Sequence, residues 1–237
     1  MKVNIMSFNT QHCLNYVTRE IDYDVMANAI KQCNADIIGL QEMRNEGIKE
    51  GYVDQTKILA DKGGYPYYYF AEATRFDGTK PYGVALISRF PILSAETIII
   101  PDPEVRKYDG YYETRCILKA KIDVGSGLTV MVSHYGLNPD ELDNAIATTF
   151  ANLPEERAVF MGDLNMEAHT SRIKQFDEKL YNTANKFDEP KFSFRSIDPF
   201  AKIDYIYTTK DMTVLEADIP AIVASDHRPH TAVIDVD

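Results

Sequence analysis

One pattern recurs along the chain: a short apolar run that ends in Asn, Asp, Glu or His. "KVNIMSFN" (2–9) closes on Asn9, "ADIIGLQEM" (35–43) delivers Glu42, and "LTVMVSHY" (128–135) delivers His134. "RAVFMGDLN" (157–165) ends in Asp163 and Asn165, and "KIDYIYTT" (202–209) carries Asp204 between apolar neighbours. "SDHRPHTAV" (225–233) puts Asp226 and His227 at the mouth of the last run. Runs of this length, rich in β-branched residues and bounded by turn formers, read as strands. Each polar end has an ordinary explanation when taken singly. Asn9 starts a turn, Glu42 is a solvated strand exit, "GDLN" is a turn, and His134 is a hydrogen-bonded core histidine. Asp204 resists that treatment: an Asp between Ile203 and Tyr205-Ile206 is expected to point opposite to them, and a buried carboxylate needs a partner. Jointly, the ordinary account needs a coincidence at every strand end.

Helices fall between several of these strands. Val25, Met26, Ala29, Ile30 and Cys33 have the spacing of one apolar face over 22–33. A second helix near 54–62 stops at Gly63-Gly64. Asn138-Pro139-Asp140-Glu141 opens a third, with an N-cap, Pro at the first helical position and Glu in the capping-box place. A fourth lies near 171–180. "YPYYYFAEA" and "YGVALISRFPI" predict a strand pair, "AETIIIP" another strand, and Gly125-Ser126-Gly127 a hairpin turn after "TRCILKAKIDV". With no linker, repeat or low-complexity tract, residues 1–237 are expected to form a single α/β domain with many strands.

The net charge of −11 and the scattered Lys and Arg argue against a tight duplex-DNA binder, whose affinity would come from a basic face. Three cysteines without CxxC spacing suggest neither a disulfide framework nor a thiolate zinc site. No run is long and apolar enough for a signal h-region or a membrane helix, so a cytoplasmic location is expected. The polar inventory suits one chemistry. Asn9 and Glu42 are hard oxygen donors of the kind Mg²⁺ or Mn²⁺ takes, and two histidines with separate carboxylates make imidazole–carboxylate pairs. No Ser or Cys lies in a nucleophile-elbow pattern, which favours attack by an activated water. A zinc hydrolase would need HExxH or clustered histidines, and the chain has neither.

The ordered set "SFNT" (7–10), "GLQE" (39–42), "YGVALISRFPI" (82–92), "TRCILKA" (114–120), "VSHYGLN" (132–138), "FMGDLN" (160–165), "SFRSIDPFAKIDYIY" (193–207) and "SDHRPH" (225–230) resembles the endonuclease/exonuclease/phosphatase superfamily. That resemblance covers nearly the whole chain. It implies the deoxyribonuclease I-like fold, a four-layered α/β/β/α sandwich of two packed mixed sheets flanked by helices. It also implies a hydrolase of phosphate esters, most readily a phosphodiesterase, that uses Mg²⁺ or Mn²⁺. On the matching positions Asn9 and Glu42 bind the metal and Asp226 lies near it. Asp163 orients or deprotonates the attacking water, and Asn165 holds that water or a phosphate oxygen. Asp204 buttresses His227 at the scissile phosphate, His134 contacts it from the other side, and Arg115 matches a substrate-binding arginine. The general base is either Asp163 or the His227–Asp204 pair. Gln11 stands where some abasic-site nucleases of the superfamily carry an Asp, and His134 stands where they carry a Tyr. With no Trp and no basic DNA-facing loop, abasic-site repair is set aside.

The substrate class stays open among a small phosphorylated molecule, a lipid head group and nucleic acid, with the acidic balance favouring the first two. A non-catalytic phosphate- or nucleotide-binding module of the same fold is the rival, and it should have lost one of Glu42, Asp163, Asp204 or His227. A phosphomonoesterase or an endonuclease is the alternative within the superfamily. A monomer is expected. Tyr65 to Tyr69 are expected to pack as core, while Tyr108, Tyr111 and Tyr112 are either a loop over the site or a loop packed on itself. Arg228 and His230 are expected to be ordinary surface.

Overall fold

The structure, a computed structural model, describes residues 1–237. Twelve strands form two six-stranded sheets. The first has the order β11-β12-β1-β2-β4-β3, from Thr213–Asp218, His230–Asp235, Lys2–Asn9, Ile37–Arg44, Lys80–Ser88 and Tyr67–Phe76. The second has the order β5-β6-β7-β8-β10-β9, from Ile92–Ile99, Cys116–Ile122, Leu128–His134, Ala158–Asp163, Asp204–Thr208 and Tyr181–Asn182. Each sheet is antiparallel except for one parallel pair, β1–β2 in the first and β7–β8 in the second. Parallel neighbours need a crossover, and the helices α1 (Tyr23–Cys33) and α3 (Pro139–Asn152) supply it. The helices α2 (Gln55–Gly63) and α4 (Ser171–Lys179) complete the outer layers.

Strand periodicity builds three cores from this order. Val3 and Ile5 of β1, Val130 and Val132 of β7, Val159 and Met161 of β8, and Ala232 and Ile234 of β12 meet between the sheets. Alternate residues point outward: Met6, Phe8, Ile38 and Leu40 pack with Met26 and Ile30 of α1 and Leu59 of α2. On the other side Met131, Phe160, Tyr205 and Tyr207 pack with Ile146 of α3 and Phe176 of α4. The result is the expected helix–sheet–sheet–helix sandwich. Gly39 is needed where the sheets come closest, because a Cβ there would sit 2.9 Å from Met161 Sδ and Val132 Cγ2.

The helix boundaries follow their caps. Asp22 accepts from the backbone N–H of Asp24 and Val25, and Asn34 closes α1 in the left-handed region at φ 47°. Gly64 closes α2 in the same way at φ 79°. At α3, the Asn138 backbone N–H donates to Glu141 Oε2 at 3.1 Å, the capping-box bond read from the sequence.

Several expectations need correction. The stretch 82–92 is two strands, since β4 ends at Ser88 and β5 starts at Ile92, with Pro91 between them unable to donate to a ladder. Two strands were not foreseen, the two-residue β9 and β11; a bulge between Val214 and Glu216 breaks the alternation that would reveal β11. The first tyrosine cluster is only partly core: Tyr65 is buried and donates to the Ala35 carbonyl, but Tyr67 and Tyr68 are 38% and 40% exposed at the start of edge strand β3. His230 is not surface. It shares the strand face of Ala232 and Ile234 and is fully buried, its Nδ1 3.2 Å from the Asp204 carbonyl and its Nε2 3.1 Å from Thr183 Oγ1. Arg228 is half-buried, with Nε donating to the Ser196 carbonyl.

Candidate active site

Every sequence-predicted site residue lies at one end of the sandwich, and strand parity explains how most arrive. Asn9 follows Val3 and Ile5, His134 follows Val130 and Val132, and Asp163 follows Val159 and Met161, all onto the face between the sheets. Asp204 points opposite to Ile203 and Tyr205 as expected, but period two puts it on the same face as Ile206 rather than opposite to it. The site therefore caps the central core. Glu42 is the exception, because parity would send it outward with Ile38 and Leu40. A bulge between Leu40 and Met43, with Glu42 at φ 59°, turns its carboxylate back to Asn9. Asn165 also sits in the left-handed region, at φ 51°, and so does the turn Gln11-His12-Cys13 after Asn9. Such conformations are uncommon for residues other than glycine and concentrate where side-chain placement matters.

The centre of the site is Asp163 Oδ2. It accepts from Asn9 Nδ2 at 3.0 Å and lies 3.5 Å from His134 Nε2 and 3.6 Å from His227 Nε2. Its second oxygen, Oδ1, accepts from the Asn165 backbone N–H at 3.0 Å. Burial pushes the Asp163 carboxyl upward, against the pull of the His227 charge.

The two histidines differ in their partners. His227 Nδ1 is 2.8 Å from Asp204 Oδ2, and both side chains are almost wholly buried. Burial opposes charge on His227, but Asp204, Asp163 and Asp226 outweigh it and raise its pKa to about 10. Its ring packs 4.9 Å from Phe194. His134 was expected to pair with a carboxylate, and its close partner is instead a cation: Arg115 Nη1 lies 2.8 Å from Nδ1. Burial and then that guanidinium hold His134 well below the ordinary histidine value. A guanidinium can only donate, so Nδ1 accepts, and the neutral ring carries its proton on Nε2.

Glu42 and Asp226 form the third part of the site. Glu42 Oε1 accepts from Asn9 Nδ2 at 3.0 Å, and Asp226 Oδ1 accepts from Ser225 Oγ at 3.1 Å. Burial works against the Glu42 charge, yet His12, His134, Asn9 and His227 prevail and lower its pKa. Asp226 is pushed up by burial and by the Glu42 charge. The half-buried Glu42 and Asp226 carboxylates, the first of which raises the second, are hard oxygen donors suited to a divalent cation, while the Asn9 amide turns its nitrogen to Glu42 and its oxygen to the Gln11 backbone N–H at 3.0 Å. Separately, Asp163, Asp204 and His227 bring three ligand-type atoms within 4.8 Å of one another, close enough to hold a metal ion. There, however, the His227–Asp204 hydrogen bond already occupies one ring nitrogen.

Three neighbours of the site were not anticipated. His12 Nδ1 faces Glu42 Oε2 at 3.9 Å, Glu113 Oε1 pairs with Arg115 Nη1 at 2.9 Å, and Ser225 Oγ ties the Asn9 carbonyl at 2.7 Å. The coil that carries Glu113 is fastened to the start of α3. Tyr112 Oη donates to Asp140 at 2.9 Å, and Asn138 Nδ2 donates to the Tyr111 carbonyl at 2.9 Å. Tyr111 itself stays 61% exposed, so the second tyrosine cluster is part anchor and part open loop.

The profile of the Endonuclease/Exonuclease/phosphatase family matches residues 6–227. Protein cwh43 of Schizosaccharomyces pombe is 30% identical over 128 residues, which are 52% of this chain and 12% of that protein. The chain thus corresponds to a small part of that relative's length. Among solved structures, an endonuclease/exonuclease/phosphatase from Beutenbergia cavernae superposes with TM-score 0.84 at 17% identity, covering 99% of this chain and 72% of its own. A mannosyl-6-phosphatase from Bacteroides thetaiotaomicron superposes with TM-score 0.74 at 17% identity, covering 98% and 99%. At those identities the superpositions establish the fold.

Proposed function

We propose that this chain, which belongs to the endonuclease/exonuclease/phosphatase family, hydrolyses phosphate esters by metal-assisted attack of water at phosphorus, most readily as a phosphodiesterase. The family is one of hydrolytic phosphoesterases. The observation that carries the reading is the convergence on Asp163 Oδ2 of Asn9, His134 and His227 within 3.0 to 3.6 Å. A carboxylate between two imidazoles of opposite protonation is a base beside two donors, which is what water attack on a phosphoryl group needs.

Asp163 orients the water and accepts its proton, and its upward-shifted carboxyl makes it a stronger base than a solvated aspartate. His227, kept charged by Asp204, neutralises an equatorial phosphoryl oxygen and can protonate the leaving oxygen. His134 and Asn165 donate from the opposite wall. Glu42 and Asp226, joined by Asn9 once its amide turns its oxygen inward, would hold Mg²⁺ or Mn²⁺, which when bound supplies Lewis-acid stabilisation of the phosphoryl charge.

The rim favours a small or lipid-like ester over a duplex. Val17, Ile48, Tyr111, Leu137, Ile197 and Phe200 are exposed on loops at the site end, and the net charge is −11. A monoester substrate is the second reading, because the superposed bacterial mannosyl-6-phosphatase carries that activity in its name. All of Glu42, Asp163, Asp204 and His227 are present, which counts against a module that only binds. We take residues 1–237 to act as one domain and as a monomer.

The test is hydrolysis of bis- and mono-p-nitrophenyl phosphate with Mg²⁺ or Mn²⁺, with and without chelator, by the protein and its His227→Ala variant. Turnover that needs the metal and is lost in the variant is expected. Folded protein that neither binds metal nor turns over any phosphoester contradicts the enzyme reading. Turnover that survives both chelator and substitution contradicts the mechanism alone.

A further inference from the structure

The wall that faces His227 holds His134 in a side-chain series whose other two members, Glu113 and Arg115, no part of the proposed reaction has used. Arg115 Nη1 lies 2.9 Å from Glu113 Oε1 and 2.8 Å from His134 Nδ1, with side-chain exposures of only 11%, 9% and 8% for Arg115, Glu113 and His134. Glu113 is itself fixed twice. Its backbone N–H donates to Glu141 Oε1 at 3.1 Å, and Tyr111 Oη donates to its Oε2 at 3.4 Å. Glu141 belongs to the first turn of α3, so the series is anchored in a helix rather than left on a free loop.

The consequence lies at the other ring nitrogen. With Nδ1 accepting from Arg115, the neutral His134 ring presents N–H at Nε2. The neighbours of Nε2 are Asn165 Nδ2 at 3.2 Å and Asp163 Oδ2 at 3.5 Å. The Asn165 amide is oriented by its bond to the Tyr135 carbonyl at 2.9 Å, so its nitrogen faces His134 and offers no acceptor. The His134 Nε2–H therefore meets another donor, Asn165 Nδ2, at 3.2 Å and has only Asp163 Oδ2, at 3.5 Å, as an acceptor nearby. A phosphoryl oxygen is the acceptor the proposed reaction brings to these two donors.

We propose that Glu113 and Arg115 are positioning residues that lock His134 in its neutral, Nε2-protonated form, so that His134 with Asn165 makes a fixed two-donor cradle for a phosphoryl oxygen. Arg115 then serves the substrate through His134. The cradle rests on the phosphoester reading for its ligand, but the ring state does not.

The experiment is ring ¹⁵N–¹H correlation on ¹⁵N-histidine-labelled full-length protein, with His134 assigned from His134→Gln. The expected spectrum has His134 protonated at Nε2 alone, and added inorganic phosphate moves that proton resonance. Glu113→Gln should mix the two tautomers and lower kcat about tenfold with KM little changed, and Glu113→Asp should recover part of both. If Glu113→Gln does not fold, Arg115→Lys, which keeps the charge but loses the planar fork, should show the same mixing. His134 protonated at Nδ1, or a tautomer and kcat untouched by both variants, overturns the proposal. The predicted tautomer without any response to phosphate, in protein that hydrolyses no ester, overturns the functional reading and the cradle while leaving the lock in place.

Discussion

The two walls of the site use the same ring for opposite ends. On one, His227 lies 2.8 Å from Asp204 and is held charged; on the other, His134 lies 2.8 Å from Arg115 and is held neutral. Both imidazoles are nearly buried, so desolvation alone would neutralise both. The partner at Nδ1 decides the outcome. A carboxylate there makes the opposite nitrogen a charged donor, and a guanidinium makes it a neutral one. Asp163 sits between them, 3.5 Å from one Nε2 and 3.6 Å from the other.

The largest expected effect comes from removing the charged wall. His227→Gln keeps a donor toward Asp204 but abolishes the charge, and should lower kcat by ~10²–10⁴-fold. A loss no greater than that of His134→Gln would erase the distinction between the walls. Asp204→Asn should come next, with a loss on the order of 10² and a His227 ring no longer held charged, read from its ring ¹⁵N shifts. His134→Gln, whose amide can still donate, should cost only about tenfold, while His134→Ala should cost several times more. Equal losses from Gln and Ala would show that donation is not what His134 contributes.

A stability effect separates the walls further. His230 lies directly behind Asp204, and its burial, with Lys202 nearby, lowers its pKa to about 3. The unfolded chain would bind a proton near 6.5 that the folded ring refuses. Its contribution is therefore fully present above about pH 6.5 and lost as pH falls toward 3. His230→Asn should flatten that decline in denaturant midpoint between pH 6.5 and 4, whatever it does to stability at neutral pH. An unchanged slope would mean that other groups govern the acid limb. The smallest effect is expected at the rim, where Ile48→Ala should raise KM by a few fold and leave kcat alone.

Much of this site was legible because strands alternate. Asn9, His134, Asp163 and Asp204 share the parity of Val3, Val130, Val159 and Ile206, so period two alone puts them on one face. The same rule applied to the last strand places His230 inside with Ala232 and Ile234, and its proximity to a polar turn is what made it look like surface. Glu42 lies beyond the rule, because a bulge reverses its direction. Glu113 was not readable at all. It sits in coil, where no period applies, and its importance comes from an ion pair to Arg115 that only packing against α3 creates. The helices were read almost to the residue because α1 shows one apolar face and because Asn138 and Gly64 mark the start of α3 and the end of α2 chemically.

The claim that the site is built from one charged and one neutral imidazole can be tested in a single pH series. Ring ¹⁵N shifts of His227 and His134 followed from pH 6 to 9 should show His227 protonated on both nitrogens to at least pH 8 and His134 on Nε2 alone throughout. Two rings that titrate together near the ordinary histidine value would contradict the account.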